Sequence, residues 1–450
     1  MKEKIVILGA GESGTGAALL AKTKGYDVFV SDSGPIKDKY KAELKSEKIA
    51  FEENGHSGEK IMDARLIIKS PGIPDKTWIM KQAALVNIPV IDEIEFAFRH
   101  TDAKLIAVTG TNGKTTTTLL TYHLMKQAGF NVGLAGNVGF SMARQVARQT
   151  FDWYVLEISS YQLDGTDTFK PEIGILLNIT PDHLDRYDNT MQNYVNSKFQ
   201  LIENMTRQEN FIYYADDQVI MKEIRTRSVV PHQIPISLQH AERADVHFDG
   251  SKMIFNLREK FGVAQSETTL KGPHNLINTM AAVTAVYLAG ASLDSIMEGL
   301  KTFVNAPHRL EPVGTIRGVE FINDSKATNV DSVIYALGSY DRPLVWIAGG
   351  IDKGNDYNII KDTVKKKVRA LICLGKDNDK LKKAFGDTVP VIRETQSVKD
   401  LVRMSLELAR EGDVVLLSPA CASFDLFRNY EDRGDQFRAA VKELAEEVGM

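Results

Sequence analysis

Short apolar runs alternate with longer amphipathic stretches along nearly the whole chain, and the runs are continuous rather than alternating in polarity. Lys4–Leu8, Asp27–Ser31 and Leu66–Lys69 read as buried strands separated by helix-like segments. This is the pattern of parallel sheets covered on both faces. Pro89 and the acidic pair Asp92-Glu93 precede a helix-like run to Arg99, which predicts a boundary near residue 92. Leu105–Thr109 opens a second block, followed by a helix from about Lys114 to Ala128 and by strands at Trp153–Glu157 and Ile173–Asn178. Residues 211–270 are richer in turn formers and polar positions and predict a small β-rich elaboration of the same domain. Asn275–Ala289 reads as helix again. Ala306-Pro307 breaks the chain, and Val319–Asn323, Leu344–Ala348, Ala370–Cys373 and Val414–Leu417 predict a third set of strands. The expectation is an α/β protein of three domains, residues 1–92, 93–305 and 306–450.

Composition narrows the class. A chain of 450 residues is too long for one hydrophobic core, and 43% apolar with 25% charged residues is the profile of a soluble globular protein. A net charge of −4 gives no electrostatic footprint for nucleic acid. The run Lys365-Lys366-Lys367 is expected on a solvated helix face. The apolar run Ile5–Leu8 is too short for a signal-peptide core, and no stretch approaches the ~20 apolar residues of a spanning helix, so no membrane insertion is expected. The two cysteines, Cys373 and Cys421, sit among apolar neighbours. That argues for core packing in a reducing, cytoplasmic compartment rather than for a disulfide or a nucleophile.

Four motifs bring chemistry to strand ends. Gly9-x-Gly11-x-x-Gly14 follows the first strand and opens a helix, with Asp32 at the end of the second strand. Such glycines let the backbone turn tightly and bring a diphosphate to free helix amides. The geometry serves a nucleotide, an NAD or FAD cofactor, or a plain turn. Val108-Thr109-Gly110-Thr111-Asn112-Gly113-Lys114-Thr115-Thr116 resembles a phosphate loop, with Val108 where the first glycine would stand. Gly110 and Gly113 free amides for phosphate oxygens, Lys114 can reach the outer phosphates, and Thr115 can ligate Mg²⁺. Glu157 leaves the next strand toward the same rim, as a metal-orienting carboxylate or a helix cap. Asn178-Ile179-Thr180-Pro181-Asp182-His183-Leu184-Asp185 delivers a histidine and two acids there. Lys198, in Tyr194-x-x-x-Lys198-x-x-Leu201, reads on chemistry alone as a surface lysine.

The loop Thr109–Thr116 is the shortened phosphate loop of the Mur ligase family, which the chain resembles throughout. The resemblance continues in Gly272-Pro273-His274-Asn275-Leu276-Ile277-Asn278, in Pro307-His308-Arg309-Leu310-Glu311 and in Asn323-Asp324-Ser325-Lys326-Ala327-Thr328-Asn329. Leu417–Asp425 with Tyr430-Glu431-Asp432-Arg433-Gly434 is similar to the D-glutamate-adding branch. The Asp-Asn-Pro-Arg mark of the diaminopimelate- or lysine-adding branch is absent. The fold implied is α/β with a Rossmann-like N-terminal domain, a central P-loop ATPase-type parallel sheet and a Rossmann-like C-terminal domain.

The resemblance also implies an ATP-dependent amide-bond-forming ligase, a cytoplasmic monomer that uses Mg²⁺, UDP-N-acetylmuramoyl-L-alanine and D-glutamate in peptidoglycan precursor synthesis. ATP is expected at Gly110, Thr111, Asn112, Gly113, Lys114, Thr115, Thr116, Asn275, Asn278, Arg309 and Asp324. Two Mg²⁺ ions are expected around Thr115, Glu157, His183 and a carbamylated Lys198, with Lys114, Glu157, His183 and Lys198 as the catalytic set. The UDP precursor is expected against Ser13, Asp32, Ser33, Gly72, Asn137 and His183, and D-glutamate against Lys326, Thr328, Lys353, Ser423, Phe424 and Tyr430. Gly34 stands where a family member has an arginine against the uridine end, and Tyr430 replaces an aromatic without a hydroxyl. Another Mur-type ligase, a folylpolyglutamate synthetase and, from the Gly9–Gly14 motif, an NAD- or FAD-dependent oxidoreductase are the alternatives.

Overall fold

The computed structural model describes residues 2–182 and 184–449. Its strands form three sheets. The first is wholly parallel, in the order β3-β2-β1-β4-β5, from β1 (Lys4–Leu8), β2 (Asp27–Ser31), β3 (Ala50–Glu52), β4 (Leu66–Lys69) and β5 (Val90–Asp92). The unbroken apolar run of β1 follows from burial on both faces. Ile5 and Ile7 pack with Ala17 and Ala21 of helix Glu12–Thr23, whereas Val6 and Leu8 pack with Ile61, Ile79 and Met80 on the other side.

The second sheet contains β6 (Lys104–Thr109), β7 (Val132–Gly136), β8 (Trp153–Glu157), β9 (Ile173–Leu176), β10 (Asn210–Tyr214), β11 (His232–Ser237), β12 (Val246–Phe248), β13 (Lys252–Asn256) and β14 (Lys260–Ala264). Their order is β14-β13-β12-β11-β10-β9-β6-β8-β7. All neighbours pair in parallel except at β13 and β14, which close the sheet as an antiparallel edge. Residues 211–270 therefore extend the central sheet itself, and they include a helix, Gln218–Thr226, that the turn-rich composition concealed.

The third sheet has the order β15-β16-β20-β17-β18-β19, from β15 (Glu311–Ile316), β16 (Val319–Asn323), β17 (Leu344–Ala348), β18 (Val368–Leu374), β19 (Val391–Thr395) and β20 (Val414–Leu417). β15 pairs antiparallel at its edge. Alternate residues of β17 again serve two cores, Trp346 on one face and Val345 with Ile347 on the other. Cys373 and Cys421 are both free and buried. Lys365 and Lys366 face solvent, as expected, whereas Lys367 Nζ reaches the carbonyls of Leu337 and Tyr340.

Contacts divide the chain into two compact units, residues 1–269 with 277–303, and residues 270–276 with 304–450. The first two sheets share one unit. No described helix is long and apolar enough to cross a membrane.

Candidate active site

Strand β6 lies between β8 and β9, so the chain reverses its direction of winding at the carboxyl end of β6. That is where open α/β sheets bind ligands, and the loop Gly110–Gly113 emerges there. Gly110 and Gly113 have φ of +149° and +86°, and a Cβ on Gly113 would stand 2.4 Å from Asn278 Oδ1. Both glycines are thus demanded by conformation. The loop is fastened to the segment after β9. The Thr111 and Asn112 amides donate to the Asn178 carbonyl and side-chain oxygen, at 2.9 and 2.8 Å, and Asn178 Nδ2 donates back to the Asn112 carbonyl. Thr111 Oγ1 joins the Thr180 backbone and Tyr194 OH. No side chain caps helix Lys114–Gln127, which leaves its first amides directed at the loop. Thr115 and Thr116 lie in that first turn. Lys114 Nζ folds back onto the Gly110 and Thr111 carbonyls, 2.8 Å from each.

A cavity of about 300 Å³ adjoins this loop, lined by Pro71, Gly72, Lys114, Asn137, Ser159, Ser160, Tyr161, Asp182, Tyr194 and Lys198. Lys198 corrects the surface-lysine expectation, because it is only 1% exposed. Its Nζ donates to the Gly110 carbonyl at 2.8 Å and lies 4.6 Å over the Tyr194 ring. Burial, aided by the charge of Lys114, holds its pKa well below the ordinary lysine value, and Asp182 and Asp164 only partly oppose this. Glu157 ends β8 and is 2% exposed; one carboxylate oxygen accepts from Asn137 Nδ2 at 2.7 Å. The other, Oε2, is buried without a hydrogen-bond partner. A buried carboxylate oxygen held unpaired beside a phosphate loop fits a hard cation. The described residues contain no group of three or more His, Cys, Asp and Glu side chains placed for a metal. A carbamate on Lys198 would supply the anionic oxygen that set lacks. His183 lies outside the described residues.

At the first sheet, Gly9 has φ of +89°, and a Cβ on Gly14 would fall 1.8 Å from the Gly9 carbonyl oxygen. Gly11 meets neither constraint. Asp32 turns inward, Oδ2 accepting the Ala10 amide at 2.7 Å and Oδ1 the Gly34 amide at 2.9 Å. It shapes the glycine-rich turn as well as edging it. Ser13 lies in the first turn of helix Glu12–Thr23, and Ser33 is exposed. Gly34 adopts no left-handed backbone and has room for a side chain.

Of the nucleotide residues expected further along, Asn278 belongs with the phosphate loop, its Oδ1 accepting from Thr117 Oγ1. Asn275, Arg309 and Asp324 belong to the other unit. Asn275 Nδ2 donates to the Lys271 carbonyl. Asp324 accepts from Ser418 Oγ at 2.9 Å, and burial pushes its pKa up to about 7. The six D-glutamate candidates lie just beyond the carboxyl ends of three neighbouring strands or on the following helix. Lys326 and Thr328 follow β16, Lys353 follows β17, Ser423 and Phe424 follow β20, and Tyr430 opens helix Tyr430–Glu447. Lys326 Nζ stands 3.8 Å from the Tyr430 ring centroid. Ser423 is buried, whereas Phe424 is 67% exposed.

One cavity thus gathers Lys114, Lys198, Asn137 and Gly72 from the expected set. Asp32, Ser13 and Ser33 do not line it. The sequence reading named no role for Ser160, Tyr161 or Tyr194. Tyr194 was the findable one, since it lies one helical turn before Lys198 on helix Met191–Phe199 and so shares its face.

Comparison with known proteins agrees along the chain. The Mur ligase middle domain matches residues 108–286, the Mur ligase glutamate ligase domain residues 308–421, and the MurD N-terminal domain residues 4–79. The UDP-N-acetylmuramoylalanine--D-glutamate ligase of Cytophaga hutchinsonii is 52% identical, covering 99% of this chain and all of its own. Its counterpart in Bacteroides fragilis (strain ATCC 25285) is 48% identical over 98% of this chain and all of its own. Among solved structures, a pseudomurein peptide ligase type C from Methanothermus fervidus superposes with a TM-score of 0.65 at 20% identity, covering 98% of this chain and 100% of that one. MurF from Acinetobacter baumannii gives 0.62 at 15% identity, covering 98% and 93%; both likenesses concern the fold alone. Matched in all three of its blocks by domains of one family, and half identical to a curated relative from end to end, the chain belongs to the Mur ligase family.

Proposed function

We propose that this protein joins D-glutamate to UDP-N-acetylmuramoyl-L-alanine, converting ATP to ADP and phosphate, in cytoplasmic peptidoglycan precursor synthesis. A carboxylate is a poor acylating agent because its leaving group would be oxide. In the reading offered, a carboxylate oxygen of the alanyl end attacks the γ-phosphorus, the bond to ADP breaks, and an acyl-phosphate forms. The D-glutamate amine then attacks the acyl carbon, and the tetrahedral adduct loses a proton and expels phosphate to leave the amide.

The observation that carries this reading is the single cavity shared by Lys114, Lys198, Asn137 and Gly72. The reading it supports brings a lysine assigned to the ATP phosphates together with residues assigned to the precursor, so that the two reactants of the first step meet there. Lys114 neutralises charge on the transferring phosphoryl group. The buried, depressed amine of Lys198 suits carbamylation, since carbon dioxide adds to a neutral amine with loss of a proton. Thr115, Glu157, His183 and carbamylated Lys198 would hold Mg²⁺, which supplies positive charge to the phosphate oxygens. Asn275, Asn278, Arg309 and Asp324 are assigned to ATP. Ser13, Asp32, Ser33 and Gly72 are assigned to the precursor, and Lys326 and Lys353 supply charge suited to a dicarboxylate. The division of labour is precursor to residues 1–92, ATP to 93–305 and amino acid to 306–450, in one monomeric chain.

ADP release is measured with the purified protein, ATP, Mg²⁺ and UDP-N-acetylmuramoyl-L-alanine. Addition of D-glutamate should start turnover, and L-alanine, meso-diaminopimelate or L-glutamate should not. Release that is indifferent to D-glutamate, or saturable binding of NADH, overturns the reading.

A further inference from the structure

The C-terminal unit holds a cation that no expected contact accounts for. Arg433, one turn into helix Tyr430–Glu447, is 1% exposed and among the largest fully buried side chains of the protein. Its Nε donates to Ser325 Oγ and its Nη2 to the Ser325 carbonyl, each at 2.9 Å. Its Nη1 is shared between the Gly349 carbonyl at 3.3 Å and the Cys421 carbonyl at 3.2 Å. Every one of these acceptors is a neutral oxygen, and among the described residues no carboxylate pairs with it. Burial brings its pKa down only to about 10, so it remains a cation at neutral pH. The Asp425 and Asp324 carboxylates act on it only through space, without a bond, and a buried charge bonded to neutral oxygens alone is costly.

The three backbone points it holds each begin or carry a loop at the sheet edge. Ser325 leads into Lys326 and Thr328 after β16. Gly349 leads into Lys353 after β17. Cys421 leads into Ser423 and Phe424 after β20. The last two loops are also zipped together, the Ile351 and Ala422 amides and carbonyls exchanging bonds of 2.8 and 3.1 Å. Ser325 Oγ in turn donates to the carbonyl of Tyr430 at 2.8 Å. All six residues assigned to the amino acid therefore hang from backbone that this one guanidinium, or its Ser325 partner, ties in place.

We propose that Arg433 is a positioning residue for the incoming amino acid, holding the three acceptor loops in register and presenting beneath them a positive charge that favours a dianionic substrate. This rests on the reading of D-glutamate as that substrate. In a low-dielectric interior a fixed charge acts over a longer range than in water, so it distinguishes two carboxylates from one without touching either.

The test compares wild type with Arg433→Met, which removes the charge, and Arg433→Lys, which keeps it and loses the fork. D-Glutamate is set against D-glutamine, which has nearly the same shape and one charge fewer, as substrate or as competitive inhibitor. In Arg433→Met the preference for D-glutamate over D-glutamine should fall about tenfold or more. KM for ATP and for the UDP precursor should stay within about twofold, because uniform loss of their binding is not expected. Acyl-phosphate formation without amino acid, trapped by borohydride reduction, should persist. Arg433→Lys should raise KM for D-glutamate and keep the preference. Equal losses for D-glutamate and D-glutamine overturn the charge selection, and parallel increases in all three KM values reduce Arg433 to a fold-holding residue. Should Arg433→Met fail to fold, Ser325→Ala removes the Nε acceptor with the charge intact. KM for D-glutamate alone should then rise, and an unchanged value overturns the positioning role. Wild type lacking D-glutamate-dependent turnover sinks the substrate assignment instead, so the two failures are distinguishable.

Discussion

Replacing Lys198 with methionine should nearly abolish turnover and stabilise the fold at the same time. The side chain is 1% exposed, its amine meets only the Gly110 carbonyl and the face of Tyr194, and no carboxylate pairs with it among the described residues. Its folded pKa lies well below 10.5, so protonation opposes folding. That penalty is absent where free lysine is itself neutral, above 10.5, and grows as pH falls toward the depressed value. Methionine fills similar space without charge, and replacing buried ionic groups by apolar ones stabilises on the order of 1–4 kcal/mol. The Gly110 carbonyl keeps a donor, since Lys114 Nζ also reaches it. Catalysis should move the other way. Loss of an anionic ligand would weaken the hold on Mg²⁺, and losing one element of charge stabilisation at a transferring phosphoryl group is worth roughly 3–4 kcal/mol, or about 10²–10³ in kcat. Calorimetry should find the methionine variant more stable at neutral pH, with the gap closing toward pH 10, and ADP release should find it nearly inactive. A variant that turns over normally, or that is less stable by several kcal/mol, refutes the reasoning. Lys198→Glu places an anionic oxygen near the position a carbamate would occupy and should retain more activity than methionine. Equal losses in both would leave the lysine essential but count against the carbamate, as would the absence of a carbamate resonance in protein given ¹³C-bicarbonate.

Gly113→Ala places an L-residue at φ +86° and a Cβ 2.4 Å from Asn278 Oδ1, at about 1–2 kcal/mol for the backbone alone, and calorimetric affinity for ADP should fall about tenfold or more. Unchanged affinity would place the nucleotide elsewhere. Asp32→Ala strands the Ala10 and Gly34 amides, so KM for the UDP precursor should rise with kcat little altered; an unchanged KM means the first sheet has been misread. Glu93, buried against Ser141 Oγ and the Ala143 amide, has its pKa raised from 4.5 to about 7, burial being the main cause. Its contribution is fully present below 4.5 and is lost as pH rises through 7, by up to roughly 3 kcal/mol at about 1.4 kcal/mol per unit. Glu93→Gln should flatten the decline of Tm between those limits, and parallel profiles for the two proteins would contradict this.

The strands were legible because burial on both faces writes itself as uninterrupted apolar residues. β1, β2, β4 and β8 fall where the runs Lys4–Leu8, Asp27–Ser31, Leu66–Lys69 and Trp153–Glu157 predicted them. Residues 211–270 were less so. β12, β13 and β14 lie toward one edge of the sheet, and a strand with a solvated face or edge carries Lys252, Asn256 and Lys260 among its apolar positions. Such alternation reads as a β-rich elaboration of the domain, without showing how its strands join the central sheet when pairing partners are unknown. In fact the sheet runs continuously from β7 to β14. The helix Gln218–Thr226 was hidden because it is short and fully buries only Ile220 and Glu223, with Val219, Met221 and Ile224 partly buried.

The site divides along a related line. Gly110, Gly113 and Lys114 announce themselves because a sharp strand-to-helix turn admits few residue types, and the two positive φ values show why. Lys198 and Arg433 do not, because each is a basic residue within a helix, where such long side chains normally face water. Within helix Met191–Phe199 only Tyr194 hints at the lysine's face, and the carbonyl that meets its amine belongs to Gly110, 88 residues earlier in the chain. Nothing in Tyr430-Glu431-Asp432-Arg433-Gly434 separates the arginine from its half-buried acidic neighbours, and its partners at Ser325, Gly349 and Cys421 come from three strand ends. Lys198 bonds the Gly110 carbonyl of the loop assigned here to phosphates, and Arg433 bonds the backbone of the loops assigned here to the amino acid. A local pattern records the turn that shapes a ligand's backbone cradle. The basic side chain beneath that turn is placed by which distant strands become neighbours, and so it emerges only with the fold.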